Sequence, residues 1–345
     1  YSDMITGDYR GNVAGGPSQA GCMLVFHGSA AGMSATPATV FAHAQANAFY
    51  GRSVSCAGDV NADGYADVLI GATTFTNGQT SEGAGYLHLG SPSGIPAAFT
   101  TRYEYNQTGS NMGECVSGAG DVNGDGVSDF LIGMKLYTGG GGALLYNGGP
   151  SNVASTASLT RASGLLGARM GSAIADAGDV NGDGFSDALV GAPEASNGQA
   201  GEGLVYLHYG SAAGLAPLPS LTLEANVAGA RFGASVASAG DVNGDGYADV
   251  VVGAPLSGGG GRAYVHHGSA GGLSVLPALV LTGAAGAEFG FSVFTAGDID
   301  ADGRADLIVG APGIATAFVH MGTVTGIDPV VTTVLAGPAG SRFGA

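Results

Sequence analysis

An all-β fold of repeated four-stranded units is what this 345-residue sequence predicts, and three observations carry the prediction. Five stretches read almost alike: Asp59–Asp67, Asp121–Asp129, Asp179–Asp187, Asp241–Asp249 and Asp298–Asp306, with starts 62, 58, 62 and 57 residues apart. Around each runs a longer unit, clearest in the fourth: Arg231-Phe-Gly233, SVASAG, the Asp loop, VVVGAP, a Gly-rich turn, RAYVHHGS and a Leu-rich segment. Helical periodicity of 3.6 is hard to find, whereas short β-branched or aromatic runs are bounded by Gly and Pro. A unit of about 60 residues with four strands and no helix predicts β-propeller blades. A β-helix coil is shorter, and an immunoglobulin-like domain needs about 100 residues.

Taken in order, the repeats are 1–48, 49–110, 111–168, 169–230, 231–287 and 288–341, all within one propeller spanning 1–345. Six are counted, with seven blades as the alternative. The first is partial. Tyr1-Ser-Asp3-Met-Ile-Thr-Gly7 matches Tyr65-Ala-Asp67-Val-Leu-Ile-Gly71, and Arg342-Phe-Gly344 matches Arg231-Phe-Gly233, so residues 342–345 are expected to complete it. The strand and half loop that would join them are absent, so the chain reads as a fragment. Within each unit, runs such as Val250–Gly253 and Ala263–His267 are the expected strands, and Ser257–Gly261 is the expected hairpin turn.

Composition narrows the partners. With 66 glycines and only 11% charged residues, 45% of the chain is still apolar, enough for a sizeable core. No apolar run approaches the 18 residues or so of a membrane-spanning helix, so no membrane insertion is expected in this segment. Ten basic residues, Lys135 the single lysine, stand against 27 acidic ones, a net charge of −17 that argues against nucleic acid or anionic lipid.

The strongest chemical signal is the pattern D-x-[DN]-x-D-G-x-x-D. Asp241, Asn243 and Asp245 are two residues apart, so a tight loop can aim three side-chain oxygens at one point, with Gly246 allowing the reversal. The carbonyl of Tyr247 and the carboxylate of Asp249 complete a shell of hard oxygen donors, which suits Ca²⁺ best and Mg²⁺ second. The same positions are Asp59, Asn61, Asp63, Tyr65 and Asp67; Asp121, Asn123, Asp125, Val127 and Asp129; Asp179, Asn181, Asp183, Phe185 and Asp187; and Asp298, Asp300, Asp302, Arg304 and Asp306. About five Ca²⁺ sites are expected, and Asp3, last position of the split copy, marks a sixth, partial one. An EF-hand needs its acidic ligand at position 12 and flanking helices, so that reading fails. The competing reading is a set of metal-free Asp/Asn/Gly turns that cap hairpins. Against it, the five loops hold 16 of the 27 acidic residues, and like charges packed so closely call for a cation.

A Phe-Gly element recurs as Phe232-Gly233, Phe289-Gly290 and Phe343-Gly344, loosened to Tyr50-Gly51, Met112-Gly113 and Met170-Gly171. A Gly-Ala-Pro element stands at Gly191-Ala-Pro193, Gly253-Ala-Pro255 and Gly310-Ala-Pro312, weakens to Gly71-Ala-Thr73 and is lost at Gly133-Met-Lys135. With the Asp loops between them, these elements make the whole chain resemble the FG-GAP repeat proteins, the family of the integrin α-subunit head. The resemblance implies Asp loops joining the first and second strands of each blade, on the face opposite the usual ligand-binding face of integrins, and seven blades as the common number. It also implies a non-enzymatic, extracellular or cell-surface adhesion module with a protein or glycan ligand on one rim. Extracellular calcium would fill weak sites of this kind. The Gly/Ala-rich hairpins and scarce lysine suggest a secreted bacterial protein. The alternatives are a lectin-like or enzyme-accessory propeller that binds glycans, which the lack of Trp weakens, and a structural subunit of a surface assembly or filament.

Other residues have structural readings. His88, His208, His266 and His320 fall two residues before a strand-ending glycine, with His27 and His267 one position later. Phe26 and Tyr146 fill the same column in the other copies, as an aromatic packing position would. Arg52, Arg169, Arg231 and Arg342 flank the Phe-Gly elements, where they can engage an acidic ligand or pair with neighbouring loop carboxylates, the pairing being favoured. Cys56 and Cys115 lie on first strands of consecutive repeats and are expected as free buried thiols, with a disulfide as the alternative. The glutamates show no pairing that sequence alone supports as acid and base, and no nucleophile motif is present, so no catalytic residue is expected.

Overall fold

The computed structural model describes residues 3–11, 16–150 and 153–345. The chain divides into two compact units, one of residues 1–120 and 126–162, the other of 121–125 and 163–345. Both are all-β, and together they supply six propeller blades, five of them four-stranded antiparallel meanders.

In the first unit, blade 2 comprises Tyr50–Gly58, Asp67–Ala72, Ala84–His88 and Thr101–Tyr103, and blade 3 comprises Met112–Gly120, Asp129–Met134, Gly142–Tyr146 and Leu159–Ala162. In the second, blade 4 is Ala173–Gly178, Asp187–Ala192, Leu204–His208 and Leu221–Glu224. Blade 5 is Ser235–Gly240, Asp249–Ala254, Arg262–His266 and Leu279–Thr282. Blade 6 is Val293–Gly297, Asp306–Ala311, Thr316–His320 and Thr333–Ala336. In blade 1, the repeat expected to be partial, the sheet has three strands among the described residues, Met4–Asp8, Cys22–Phe26 and Thr39–Ala42, the counterparts of second, third and fourth strands elsewhere. Tyr1 and Ser2 lie outside the described residues.

The second strands explain the unbroken apolar runs. Side chains alternate across a strand with period two, and a strand covered on both faces can be apolar throughout. Val250, Val252 and Ala254 pack into a core with Leu189, Val205 and Phe232, while Val251 faces a different core with Ala237, Ala263 and Val309. Leu69 and the pair Val68 and Ile70 divide in the same way in blade 2. Fully burying one such side chain contributes about 1.5–3 kcal/mol.

The Phe-Gly and Gly-Ala-Pro elements meet where one blade passes the next. The Gly-Ala-Pro glycine Gly253 has the carbonyl oxygen of Gly290 where a Cβ would stand, 2.0 Å from that position, and Gly191 meets Gly233 at 2.2 Å in the same way. In the first unit Gly71 meets Gly113 and Gly7 meets Gly51, each at 2.0 Å. The Phe-Gly glycines themselves sit at φ near +80°, open to glycine at little cost. Two backbones touch here, and any side chain would part them. At Ser257–Gly261 the expected plain hairpin is led by a 3₁₀ turn over Ser257–Gly259.

Candidate metal loops and the opposite ends of the blades

Each Asp loop joins a first strand to a second strand, as the resemblance implied. In the loop of blade 5, Asp241 Oδ1 accepts from the amides of Gly244 (2.7 Å) and Asp245 (3.1 Å), and Oδ2 accepts from Gly246 at 2.8 Å. Asn243 Oδ1 accepts from the Asp245 amide, Asp245 Oδ1 accepts from Tyr247, and Asn243 Nδ2 donates to Asp245 Oδ2. The loop of blade 4 has the same bonds at Asp179, Asn181 and Asp183, and the loop of blade 2 nearly the same at Asp59, Asn61 and Asp63. Backbone amides thus gather the oxygens of positions one, three and five. In blade 6, where position three is Asp, carboxylate oxygens of Asp298, Asp300 and Asp306 lie within 4.8 Å of one another. Asp302 Oδ2 is paired there with the guanidinium of Arg304.

The last aspartate has a role that the sequence did not reveal. Asp67, Asp129, Asp187, Asp249 and Asp306 are buried while the rest of each loop is largely open to solvent. Asp249 Oδ2 accepts from the Val242 amide inside the loop, and Oδ1 accepts from Gly268 beyond the third strand, both at 2.9 Å. Asp67 accepts likewise from Val60 and Gly90, Asp187 from Val180 and Gly210, and Asp306 from Ile299 and Gly322. The carboxylate staples three pieces of chain and still offers lone pairs to a cation. Burial pushes Asp67 and Asp249 up to about 6 and Asp187 up to about 7, so the ionised form is costly without an added positive charge. Asp3 accepts from Gly28 in the same way, but it is exposed and its second partner is His27 at 3.0 Å. His27 is therefore an exposed hydrogen-bonding partner of Asp3 and not a packing residue.

Successive loops also hold one another. The position-eight amide of one loop donates to the first Asp carbonyl of the loop before it: Ser128 to Asp59, Ser186 to Asp121, Ala248 to Asp179 and Ala305 to Asp241, at 2.8–3.1 Å. The position-seven rings of Phe185 and Tyr247 lie against Gly124 and Gly182, where a Cβ would stand 2.6 Å from the ring. Position seven thus serves loop stacking as well as any carbonyl ligand, a reading that its variable identity hid.

The other ends of the strands carry the arginines. They pair with glutamates and not with the Asp loops: Arg52 and Lys135 share Glu114, Arg169 and Arg231 share Glu194, and Arg342 pairs with Glu288. Two glutamates passed over in sequence, Glu82 and Glu202, are buried and accept the amides of Asn77 and Asn197 at 2.6 and 2.7 Å. The repeated string N-G-Q-x-x-E-G in blades 2 and 4 was the available signal. The histidine column is a packing position: His88, His208, His266 and His320 are buried, and each Nδ1 bonds the carbonyl of the residue eight places on, at 2.9–3.1 Å. None of the cysteines forms a disulfide among the described residues, but Cys56 is exposed and Cys115 half-buried, so neither is the buried thiol expected.

Four segments, residues 51–88, 172–208, 232–266 and 289–314, match the FG-GAP repeat family. The chain is 35% identical to integrin alpha-V of Gallus gallus over 217 residues, 58% of this chain and 20% of that protein. It is 34% identical to integrin alpha-8 of Gallus gallus over 236 residues (64% and 21%), and 43% identical to human integrin alpha-IIb over 152 (41% and 15%). The matches thus span 15–21% of the length of these relatives. A crystal structure of AofleA from Arthrobotrys oligospora aligns over 98% of this chain and 87% of its own at 9% identity, with a TM-score of 0.45. Among the described residues no helix is long and apolar enough to cross a membrane.

Proposed function

Starting from a chain that belongs to the FG-GAP repeat β-propeller proteins, we propose that it is a calcium-binding, non-enzymatic adhesion or protein-interaction module that works outside the cell or at its surface. The observation that carries this reading is the repeated loop: all-oxygen donors gathered by backbone amides beside a buried carboxylate, with the acidic oxygens of Asp298, Asp300 and Asp306 within 4.8 Å. Hard oxygen donors suit Ca²⁺, which tolerates varied coordination geometry. Positions one, three, five and nine of each loop would hold the cation, with the carbonyl of position seven. The ion would supply the positive charge that offsets the buried carboxylate. Asp3, exposed and already bonded to His27 and Gly28, fits a cation poorly by comparison. Likeness to integrin alpha chains supports a protein ligand and a cell-surface setting.

Beads coated with the chain and mixed with intact cells of the organism that makes it test the proposal. Adhesion in about 1 mM calcium that disappears with a chelator is the expected result. No adhesion, or equal adhesion in chelator, contradicts it. Loss of adhesion after glycosidase but not protease treatment of the cells replaces the protein ligand with a glycan.

A further inference from the structure

Opposite the Asp loops, blades 1 to 3 of the first unit line an open cavity of about 290 Å³. Three of the chain's ten basic residues line it, Arg10, Arg52 and Lys135, with Glu114 the one acid in its wall. In a protein of net charge −17 this is a marked reversal of sign. Glu114 Oε1 takes both Arg52 (2.9 Å) and Lys135 (3.0 Å), so one carboxylate already answers two of the cations. Arg10 makes no ion pair among the described residues. It lies over the ring of Tyr9, 5.2 Å from the centroid, and Arg52 lies over the same ring at 5.3 Å. The edge of that ring contact is continued by Phe49, T-shaped to Tyr9 at 5.9 Å. Phe49 is held at φ +54°, unusual for a bulky residue, where the equivalent residues of blades 3 to 6 are Asn111, Arg169, Arg231 and Glu288. The aromatic wall is thus particular to this blade.

From this geometry we infer that the cavity binds an acidic side chain of a protein ligand, an Asp or Glu followed or preceded by an aromatic residue. The inference rests on the interaction-module reading and names the chemistry of its partner. A guanidinium with no acid of its own offers a planar pair of donors to a carboxylate. Glu114 shows how the neighbouring cations grip one. Tyr9 and Phe49 offer apolar area to the residue beside it. The cavity is open and at the small end for an enclosed ligand, which suits one or two protruding side chains better than a buried metabolite.

The probe is a fluorescein-labelled capped peptide, Gly-Phe-Asp-Gly-Ser, compared with its Asn counterpart by polarisation in about 1 mM calcium and about 50 mM salt. The Asp peptide is expected to bind about tenfold tighter than the Asn peptide, to weaken at about 0.5 M salt, and to lose about tenfold on Arg10→Glu. Arg10 is exposed and unpaired, so the melting temperature should not move. If it does, Arg10→Gln serves in its place. Arg231→Glu, in the second unit, should leave binding unchanged. Equal binding of the two peptides, no binding of either, or indifference to the Arg10 substitution overturns the inference. So does equal weakening by Arg231→Glu, which would make the effect one of net charge. Displacement by millimolar sulfate would mark a general anion site and equally overturn it. A chain that binds the peptide but fails to adhere to cells keeps this site and loses the broader proposal.

Discussion

Asp245 and Asp249 are four residues apart, carry the same carboxylate and stand in the same motif, yet they do different work. Asp245 is exposed and binds amides of its own loop, whereas Asp249 is buried and ties Val242 to Gly268. Removing Asp249 leaves two buried N–H groups without acceptors, each costing about 1–3 kcal/mol. Asp249→Ala should therefore destabilise the protein by about 3 kcal/mol even in EDTA, read by urea denaturation. Asp245→Ala should cost stability in calcium and little in EDTA. Equal losses for the two variants in EDTA would remove the distinction. Sequence could not separate them, because ligand and staple call for the same residue type and only burial tells them apart. Arg304 adds a second contrast. Its guanidinium holds Asp302, a carboxylate that the other loops leave free of such a partner at position seven. Arg304→Ala should raise terbium luminescence titrated at the lowest lanthanide concentrations, and an unchanged titration would mean that Asp302 is no ligand.

At the scale of strands and loops, two devices recur. Backbone contact between the Gly-Ala-Pro and Phe-Gly glycines sets how closely neighbouring blades pass. Gly253→Ala would place a methyl 2.0 Å from the Gly290 oxygen, which only movement of a strand can relieve, at a cost of about 3 kcal/mol or more. Gly246→Ala, at φ +91° with open space around it, should cost about 1 kcal/mol. Comparable melting temperatures for the two would contradict the close-contact explanation. The second device is the buried histidine that pins the loop after the third strand. Burial holds His266 down to about 4, so the folded protein resists a proton that the unfolded chain accepts near 6.5. The neutral ring's stability is complete above pH 6.5 or so and is lost as pH falls from there to about 4, below which both states are charged. Against His266→Asn, whose amide can still donate to Ser274, wild type should lose about 3 kcal/mol across that window. A difference between the two that stays constant with pH would mean that His266 titrates normally. Both devices were half legible. The spacing of the glycines and histidines showed a repeated position, but the partner of each lies in another strand or blade, at a distance the sequence does not encode.

Across the whole molecule, the repeat made the blade count readable, since each unit repeats the same strand pattern, while the first-to-second-strand placement of the Asp loops was implied by the resemblance to FG-GAP proteins. Blade 3 was legible even though its Gly-Ala-Pro element is lost at Gly133-Met-Lys135, because its loop and strand lengths keep the register. What stayed hidden is how the loops lean on one another, through the position-eight amides and position-seven rings. That linkage bears on calcium as a folding ligand. A ligand that binds only the folded state stabilises it by RT ln(1 + [L]/Kd). For a Kd of about 0.1 mM, within the range of extracellular modules, about 1 mM calcium contributes about 1.4 kcal/mol per site, and five independent sites about 7 kcal/mol. Such a sum rivals the net stability of a whole domain. Because four of the five loops donate a hydrogen bond to the preceding one, filling one loop should order its neighbour, and the sites should fill over a narrower calcium range than independent sites would. Calorimetry in EDTA, calcium and magnesium decides the first point: calcium should raise the melting temperature markedly and magnesium only weakly, whereas superimposable traces would make the loops metal-free turns. A calcium titration followed by the same melting temperature decides the second, with Ser186→Pro, which deletes the amide given to Asp121, expected to broaden it. A titration as broad in wild type as in that variant would mean that the loops bind independently.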